Sequence, residues 1–261
     1  MNAGFLSLIL AGFLISDIPA NLSPEEKGFA IMKESEKDFN EIITSQADMT
    51  MIIKKKDGTK ATRNFRLLIY VIPEDGDKIR YVFDSPADVK GMVFLVVTHK
   101  FEQDDIWVYL PDSRRVKRVS SQTKGSRFMG SEFVSEDLAR EEPEKYTYGA
   151  VREENFRGQK CFVVERFPVE KSSVYSKQVA WVDQDQYRVQ KFDFYDKKGV
   201  FVKTLTFNGY RLYENKVWRW DEHVLVNHVK GDSTRTLFQN WKFNTGFKLR
   251  DFSINSLKRT R

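Results

Sequence analysis

"DMTMIIKKKDGTKATRNFRLLIYV", residues 48–71, is the stretch on which the fold of this chain turns. Two apolar, strand-like runs flank Asp57-Gly58, and an Asp-Gly pair in that setting predicts a hairpin closed by a two-residue turn of the primed type. In the second run Phe65, Leu67, Ile69 and Val71 fall on one side, while Leu68 and Tyr70 fall on the other. A sheet with one wet face shows cleaner alternation than this. Both faces of the strand therefore need cover, either from helices and loops or from a cavity wall on one side and a packing surface on the other. "GMVFLVV", residues 91–97, is apolar throughout and raises the same alternatives.

The pattern extends outward from the hairpin. "KIRYVFD" (78–84) and "GMVFLVVTH" (91–99) read as further strands, and "DDIWVYLPDSRRVKRVSS" (104–121) as a second hairpin around Pro111-Asp112-Ser113. Residues 146–169, 176–229 and 233–244 hold more strands punctuated by Gly, Asn and Asp. Ten or eleven strands joined by short turns imply antiparallel pairing. A continuous sheet of that size curls rather than lying flat, and a curled sheet has a concave face. Helical signals are few. "SPEEKGFAIMKESEKDFNEII" (23–43) offers Ser23 as cap, Pro24 at the first helical position and two early glutamates. Phe29, Met32, Phe39 and Ile43 form its apolar stripe, interrupted at Ser35 and Glu36. This helix is the one long element able to plug the concave face. A short helix, "LRDFSINSLKR" (249–259), closes the chain.

Composition agrees with a β-rich core: 21 Phe, 10 Tyr and 5 Trp in 261 residues. No linker or composition shift divides residues 21–261, which read as one domain. Residues 1–20 differ. An apolar run from Phe5 to Ile15 is too short to span a bilayer and fits the core of a secretory signal cleaved after Ala20, although no Lys or Arg precedes it. Without those twenty residues Asp17 is lost, leaving 43 basic and 36 acidic residues, a modest excess suited to anionic headgroups or acidic partners. There is no dense basic tract of the kind nucleic acid requires. The single cysteine, Cys161, excludes an internal disulfide.

Catalytic and metal signatures do not accumulate. His223 and His228 are five apart and so face opposite sides of a strand, against joint metal ligation. Asp104/Asp105 and Asp183/Asp185 sit where turns are expected. "SSQTKGSRFMGSEFVSEDL" (120–138) has a lysine before its glycine and no second glycine upstream, so it is not a phosphate loop. No base is signalled beside Ser126 or Ser131. Phe128, Met129 and Phe133 instead suit an apolar flap, followed by a short helix capped by Ser135 with Leu138 turned inward.

The segment running from "FDSPADVKGMVFLVVTH" through "DIWVYLP", "RRVKRV" and "SRFMGSEF" resembles the outer-membrane lipoprotein-sorting (LolA-like) family of exported bacterial proteins. The motif residues are Asp105, Trp107, Tyr109, Leu110 and Pro111, then Arg115, Val116, Arg118 and Val119, and Phe128 to Phe133. The likeness continues through "KYTY", "CFVVERFPV" and the closing "DFSINSLKR", covering most of residues 25–259. It implies a mainly β, incomplete, half-open antiparallel barrel with helices lidding the concave face. It also implies a periplasmic carrier of lipid or lipoprotein acyl chains that works without catalysis or cofactor. The partners it implies are an inner-membrane RND-type exporter and an outer-membrane acceptor. The competing reading is an envelope scaffold, or exporter adaptor, that takes a peptide or protein in its groove.

On the carrier reading, strand alternation nominates Met49, Met51, Phe65, Leu67, Tyr81, Phe83, Phe94, Trp107 and Tyr109 as cavity lining. Phe29 and Met32 of the helix and Phe128, Met129 and Phe133 of the flap are the expected lids. Arg115, Lys117 and Arg118 are candidates to meet a headgroup or a partner, or form a solvated edge.

Overall fold

The computed structural model describes residues 18–19, 21–37, 41–120, 125–140 and 142–259. The leader expected in residues 1–20 lies almost wholly outside that range, as do Phe39 and residues 121–124.

Among the described residues, fifteen strands follow one α-helix. They are β1 (Thr44–Lys54), β2 (Lys60–Ile72), β3 (Gly76–Ser85), β4 (Val93–Val97), β5 (Asp105–Leu110), β6 (Arg115–Arg118) and β7 (Tyr146–Phe156). After them come β8 (Gln159–Pro168), β9 (Tyr175–Asp183), β10 (Val189–Asp196) and β11 (Phe201–Asn208). β12 (Arg211–Tyr213), β13 (Val217–Arg219), β14 (Glu222–Asn227) and β15 (Ser233–Phe243) complete the set. Thirteen of them form one antiparallel sheet in the order β6-β5-β4-β3-β2-β1-β15-β14-β11-β10-β9-β8-β7, and β12 and β13 pair separately. The order is linear, with β6 and β7 as its edges, so the fold is an unclosed antiparallel barrel. Strands exceed the ten or eleven expected because the long run at 176–229 breaks into more, shorter pieces than its turn residues suggest.

The opening hairpin departs from its expected turn. Lys55 N–H donates to the Thr59 carbonyl at 2.9 Å and Gly58 N–H to the Lys55 carbonyl at 2.9 Å. Gly58 takes φ 91°, a left-handed value that glycine reaches without a Cβ clash. The loop is therefore longer than the two-residue primed turn, with Asp57 accepting from Thr59 N–H at 2.8 Å.

The helix, α1 (Pro24–Ser35), begins as its sequence dictates. Ser23 and Glu26 form a capping box in which each satisfies the other's backbone N–H. It ends well before Ile43, since the Ser35 hydroxyl turns back onto the Met32 carbonyl at 2.7 Å and the Ile43 carbonyl already accepts from Val71 N–H. Its buried stripe is Gly28, Ile31 and Met32, while Phe29 is exposed with its ring edge toward Tyr148 at 6.0 Å. The helix packs over β7 and β8, and Lys33 bonds Glu144 at 2.8 Å.

Both halves of the sheet are covered on the inner face, and the first half is covered on the outer face as well. On the inner face, β1–β5 contribute Met49, Met51, Phe65, Leu67, Ile79 and Phe83, joined by Phe128 and Leu138 from the connecting segment. The inner face of β8–β11 contributes Val164, Ala180, Val182, Phe192, Phe194 and Phe207, joined by Ile31 and Met32 of α1. On the outer face of the first half, Val82, Val93, Leu95 and Tyr109 are covered by Phe252 and Leu257. The latter come from two 3-10 helices, Leu249–Phe252 and Ile254–Lys258, which stand where one short helix was expected. This double cover is the physical reason for the blurred alternation in β2 and β4.

Candidate functional site: an apolar cavity between the two halves of the sheet

The inner faces of both halves border one cavity of about 260 Å³. Strand register sets the inner face around it in rows. Thr236 of β15 stands between Met51 of β1 and His223 of β14. The next row runs Phe238, Met49, Phe65, Phe83, and the next Ala47, Leu67, Tyr81, Phe94. The opposite wall is Phe192, Phe194, Leu205 and Phe207, with Trp220 and Met32 between the halves. An apolar cavity of about 150 Å³ already stays dry and admits benzene, so this one exceeds what a small hydrocarbon needs. Met32, Met49 and Met51 give the wall an adaptable contour.

The sequence-nominated lining residues divide into three groups. Met49, Met51, Phe65, Leu67 and Tyr81 border the cavity, as do Met32, Phe128 and Phe133 among the lid candidates. Phe83 and Phe94 are on the inner face but lie beneath Phe128, whose ring is 5.8 Å and 5.0 Å from theirs. Trp107 and Tyr109 are a correction: they point to the outer face and pack with the Phe252–Leu257 cluster, because Ile106 and Val108 take the inner side of β5. Phe29 and Met129 do not border the cavity; Met129, at φ 52°, packs against the first-half core from the turn of the connecting segment. Arg115, Lys117 and Arg118 are exposed on edge strand β6, where Arg118 pairs with Asp105 and lies 5.7 Å from the Trp107 ring.

The connecting segment is fastened rather than loose. Phe128 N–H donates to the Phe133 carbonyl at 2.8 Å, and the Ser131 hydroxyl donates to the Phe128 carbonyl at 2.6 Å. Glu132 is buried; its N–H donates to Thr234 Oγ1 at 2.9 Å, and its carboxylate receives Asn227 at 2.8 Å and also Arg127. Beyond it, the 3-10 helix Ser135–Leu138 is closed by Asp137 accepting from Val134 N–H at 2.7 Å, so Val134 rather than Ser135 precedes its first turn. Asp137 also pairs with buried Lys203 at 2.6 Å and accepts from Tyr175 at 2.8 Å. Glu136 receives Ser173 and Val174 N–H at 2.6 and 2.7 Å. Tyr81 donates to the Leu138 carbonyl at 2.9 Å. The segment is thus a strap tied to both halves of the sheet across the cavity.

Several polar groups interrupt the apolar wall. His223 sits within 5 Å of Phe207, Trp220 and Phe238 ring centres, and its Nε2 and the Thr236 hydroxyl have no hydrogen-bond partner. Burial pushes the His223 pKa down to about 3, so the ring is neutral. Others belong to a buried charge cluster in which Arg140 meets Asp77 at 3.3 Å and Glu142 at 3.4 Å. Glu36, just past the end of α1, joins it; burial raises its pKa to about 8 despite Arg140. Burial also raises Asp77 to about 6. Fully buried Arg166 donates to Gln178 at 2.9 Å between the Tyr146 and Phe192 rings, and burial lowers its pKa to about 9. Among the described residues no group of three or more His, Cys, Asp or Glu is placed to hold a metal. The paired acids serve turns: Asp183 accepts from Gln186 N–H at 2.8 Å, and Asp104 from His99 N–H at 3.0 Å.

Comparison with known proteins agrees with this architecture. A family model described only as an uncharacterized protein matches residues 75–259. A domain described as an outer-membrane lipoprotein-sorting protein from Vibrio parahaemolyticus is 44% identical with a TM-score of 0.86, and the match covers 90% of this chain and all of that one. A DUF1329 family protein from Desulfovibrio piger is 28% identical, with a TM-score of 0.85 over 90% of this chain and all of its own. A LolA superfamily protein from Nitrosomonas europaea shares the fold at 18% identity, with a TM-score of 0.70 over 87% of this chain and 97% of its own. No curated protein sequence is significantly similar. The unclosed sheet, the strap and the cavity agree with the 44% identity over the whole of the Vibrio parahaemolyticus domain: the chain belongs to the outer-membrane lipoprotein-sorting, LolA-like family.

Proposed function

We propose that the protein is a periplasmic carrier that takes the acyl chain of a lipid or lipoprotein into the cavity and performs no chemistry on it. The observation that carries this reading is an apolar cavity of about 260 Å³ that the side chains of a thirteen-stranded sheet leave unfilled. Each methylene moved from water into such a site gains about 0.8 kcal/mol. Ten therefore supply about 8 kcal/mol, and the methylenes of a longer chain offset the cost of ordering it, which brings the net toward micromolar binding. Met49, Met51, Phe65, Leu67 and Tyr81 would contact the chain, with Met32, Phe128 and Phe133 closing over it. The family likeness supports a role between the envelope membranes, with an RND-type exporter as donor and an outer-membrane protein as acceptor. Edge strand β6, with Arg115, Lys117 and Arg118 exposed, is the part offered to such partners.

The test is displacement of a fluorescent long-chain fatty acid by unlabelled lipid, in the wild type and in Leu67→Trp. The larger indole enters the cavity from its wall. Micromolar binding, lost at least about tenfold in the variant, is expected. Absence of probe binding, together with a stable complex between the protein and an envelope protein, would favour the scaffold reading instead.

A further inference from the structure

Three hairpin turns meet at one end of the sheet: 54–60 between β1 and β2, 196–201 between β10 and β11, and 227–233 between β14 and β15. Register puts them there, since Lys54 pairs with both Lys60 and Ser233, and Lys203 pairs with Asn227. They touch one another. Lys56 N–H donates to Asp232 at 3.0 Å, and the Lys56 side chain lies against Gly231. His228 N–H donates to the Val202 carbonyl at 2.9 Å, and its ring stacks on Phe201 at 4.6 Å. The three turns thus make one continuous surface.

Lysines dominate its exposed charges, with Asp57 as the exposed acid. Lys54, Lys56, Lys60, Lys197, Lys198 and Lys230 are all exposed. Among them Val229 is 66%, Val200 50% and Phe201 39% exposed. The acids of the same turns are turned to backbone or to internal cations. Asp57 accepts from Thr59 N–H, and Asp196 accepts from Lys198 and Val200 N–H at 2.9 Å each. Asp232 pairs with Lys55 at 3.2 Å and with Arg127 at 3.1 Å. What faces outward is positive charge around apolar side chains at the convex tips of turns.

We infer that this end of the sheet docks on an anionic lipid bilayer. Lysines near such a surface are drawn to its negative potential, and apolar tips between them enter the headgroup layer. A peptide ligand is taken by an apolar groove or an open strand edge rather than by three exposed turns. The face also adjoins the strap: Lys55 Nζ bonds the Gly130 carbonyl at 3.2 Å and lies 3.5 Å from Glu132. Docking therefore brings the Phe128 strap next to the membrane. The inference does not depend on what the cavity holds.

The experiment is co-sedimentation of the full chain with phosphatidylcholine vesicles, with and without about 30% phosphatidylglycerol, across a salt series. Two variants accompany the wild type: Lys56→Glu/Lys198→Glu/Lys230→Glu and Val200→Ser/Val229→Ser. Every altered side chain is exposed, and residues 1–20 are identical in all three proteins, so differences report on this face alone. Expected are binding to the anionic vesicles that weakens with salt, and a loss of about a hundredfold or more for the triple lysine variant, at about fivefold per lysine. The serine variant should lose affinity severalfold while keeping the salt dependence. Equal binding to neutral vesicles, an unaffected lysine variant, or retention on an immobilised acidic polypeptide without vesicle binding would overturn the inference.

Discussion

Replacing Glu36 by Gln should change how stability depends on pH. Helix α1 stops at Ser35, and the next side chain is driven into the charge cluster, where one carboxylate oxygen of Glu36 has no hydrogen-bond partner. Burial raises its pKa from 4.5 to about 8; Glu142 and Glu144 push the same way, and Arg140 and Lys33 oppose them. Between those two pH values the folded protein keeps a proton that the unfolded chain has released. Stability therefore falls as pH rises through the window, by about 1.4 kcal/mol per pH unit where the difference is complete. Over the whole window the cost approaches about 4 kcal/mol, a large share of the stability of an ordinary domain. Glutamine keeps the shape and carries no charge, so Glu36→Gln lacks this loss. Asp77, raised to about 6, adds a similar decline at lower pH in both proteins and cancels in the comparison. Urea unfolding at about pH 5 and about pH 8 measures the effect. The two proteins should be close at the lower pH, with the variant more stable at the higher. Parallel stability curves would refute the placement of Glu36 as a buried, uncompensated acid.

Three further substitutions test the packing. Phe128→Ala removes the ring that covers Phe83 and Phe94 and should cost about 3–5 kcal/mol in denaturant unfolding. His223→Phe keeps a ring within the Phe207–Trp220–Phe238 cage while deleting a buried nitrogen that has no partner. Its Tm should hold or rise, by the equivalent of about 1 kcal/mol, and a marked fall would mean that Nε2 is engaged. Gly28→Ala places a Cβ 2.8 Å from Tyr148 Cβ. The helix preference for alanine, about 1 kcal/mol, should be outweighed by overpacking of about 1–3 kcal/mol, so the thermal midpoint drops.

Much of the first half of the cavity is legible in the sequence. Alternation in "RNFRLLIYV" assigns Phe65 and Leu67 to the inner face, and the hairpin carries the same parity to Met49 and Met51. It fails at β5, where both faces are apolar and the aromatic residues look like the natural lining. Their actual partners, Phe252 and Leu257, lie more than a hundred residues downstream, so local pattern has no access to them. In the opposite wall "QKFDFYD" alternates Phe192 and Phe194 as clearly, but nothing local says that this face meets the first half across a cavity. The strap shows the other limit. Phe128 and Phe133 announce apolar cover, but its fastening by Glu132, Glu136 and Asp137 to distant strands leaves no periodic signal.

The central claim is that the cavity holds an acyl chain in the native protein. Mass spectrometry of an organic extract of protein purified without detergent tests it most directly. The account predicts a long-chain lipid or acylated species recovered near one per protein and depleted by Leu67→Trp. An extract free of acyl chains from protein that also fails to bind the fatty-acid probe would contradict it.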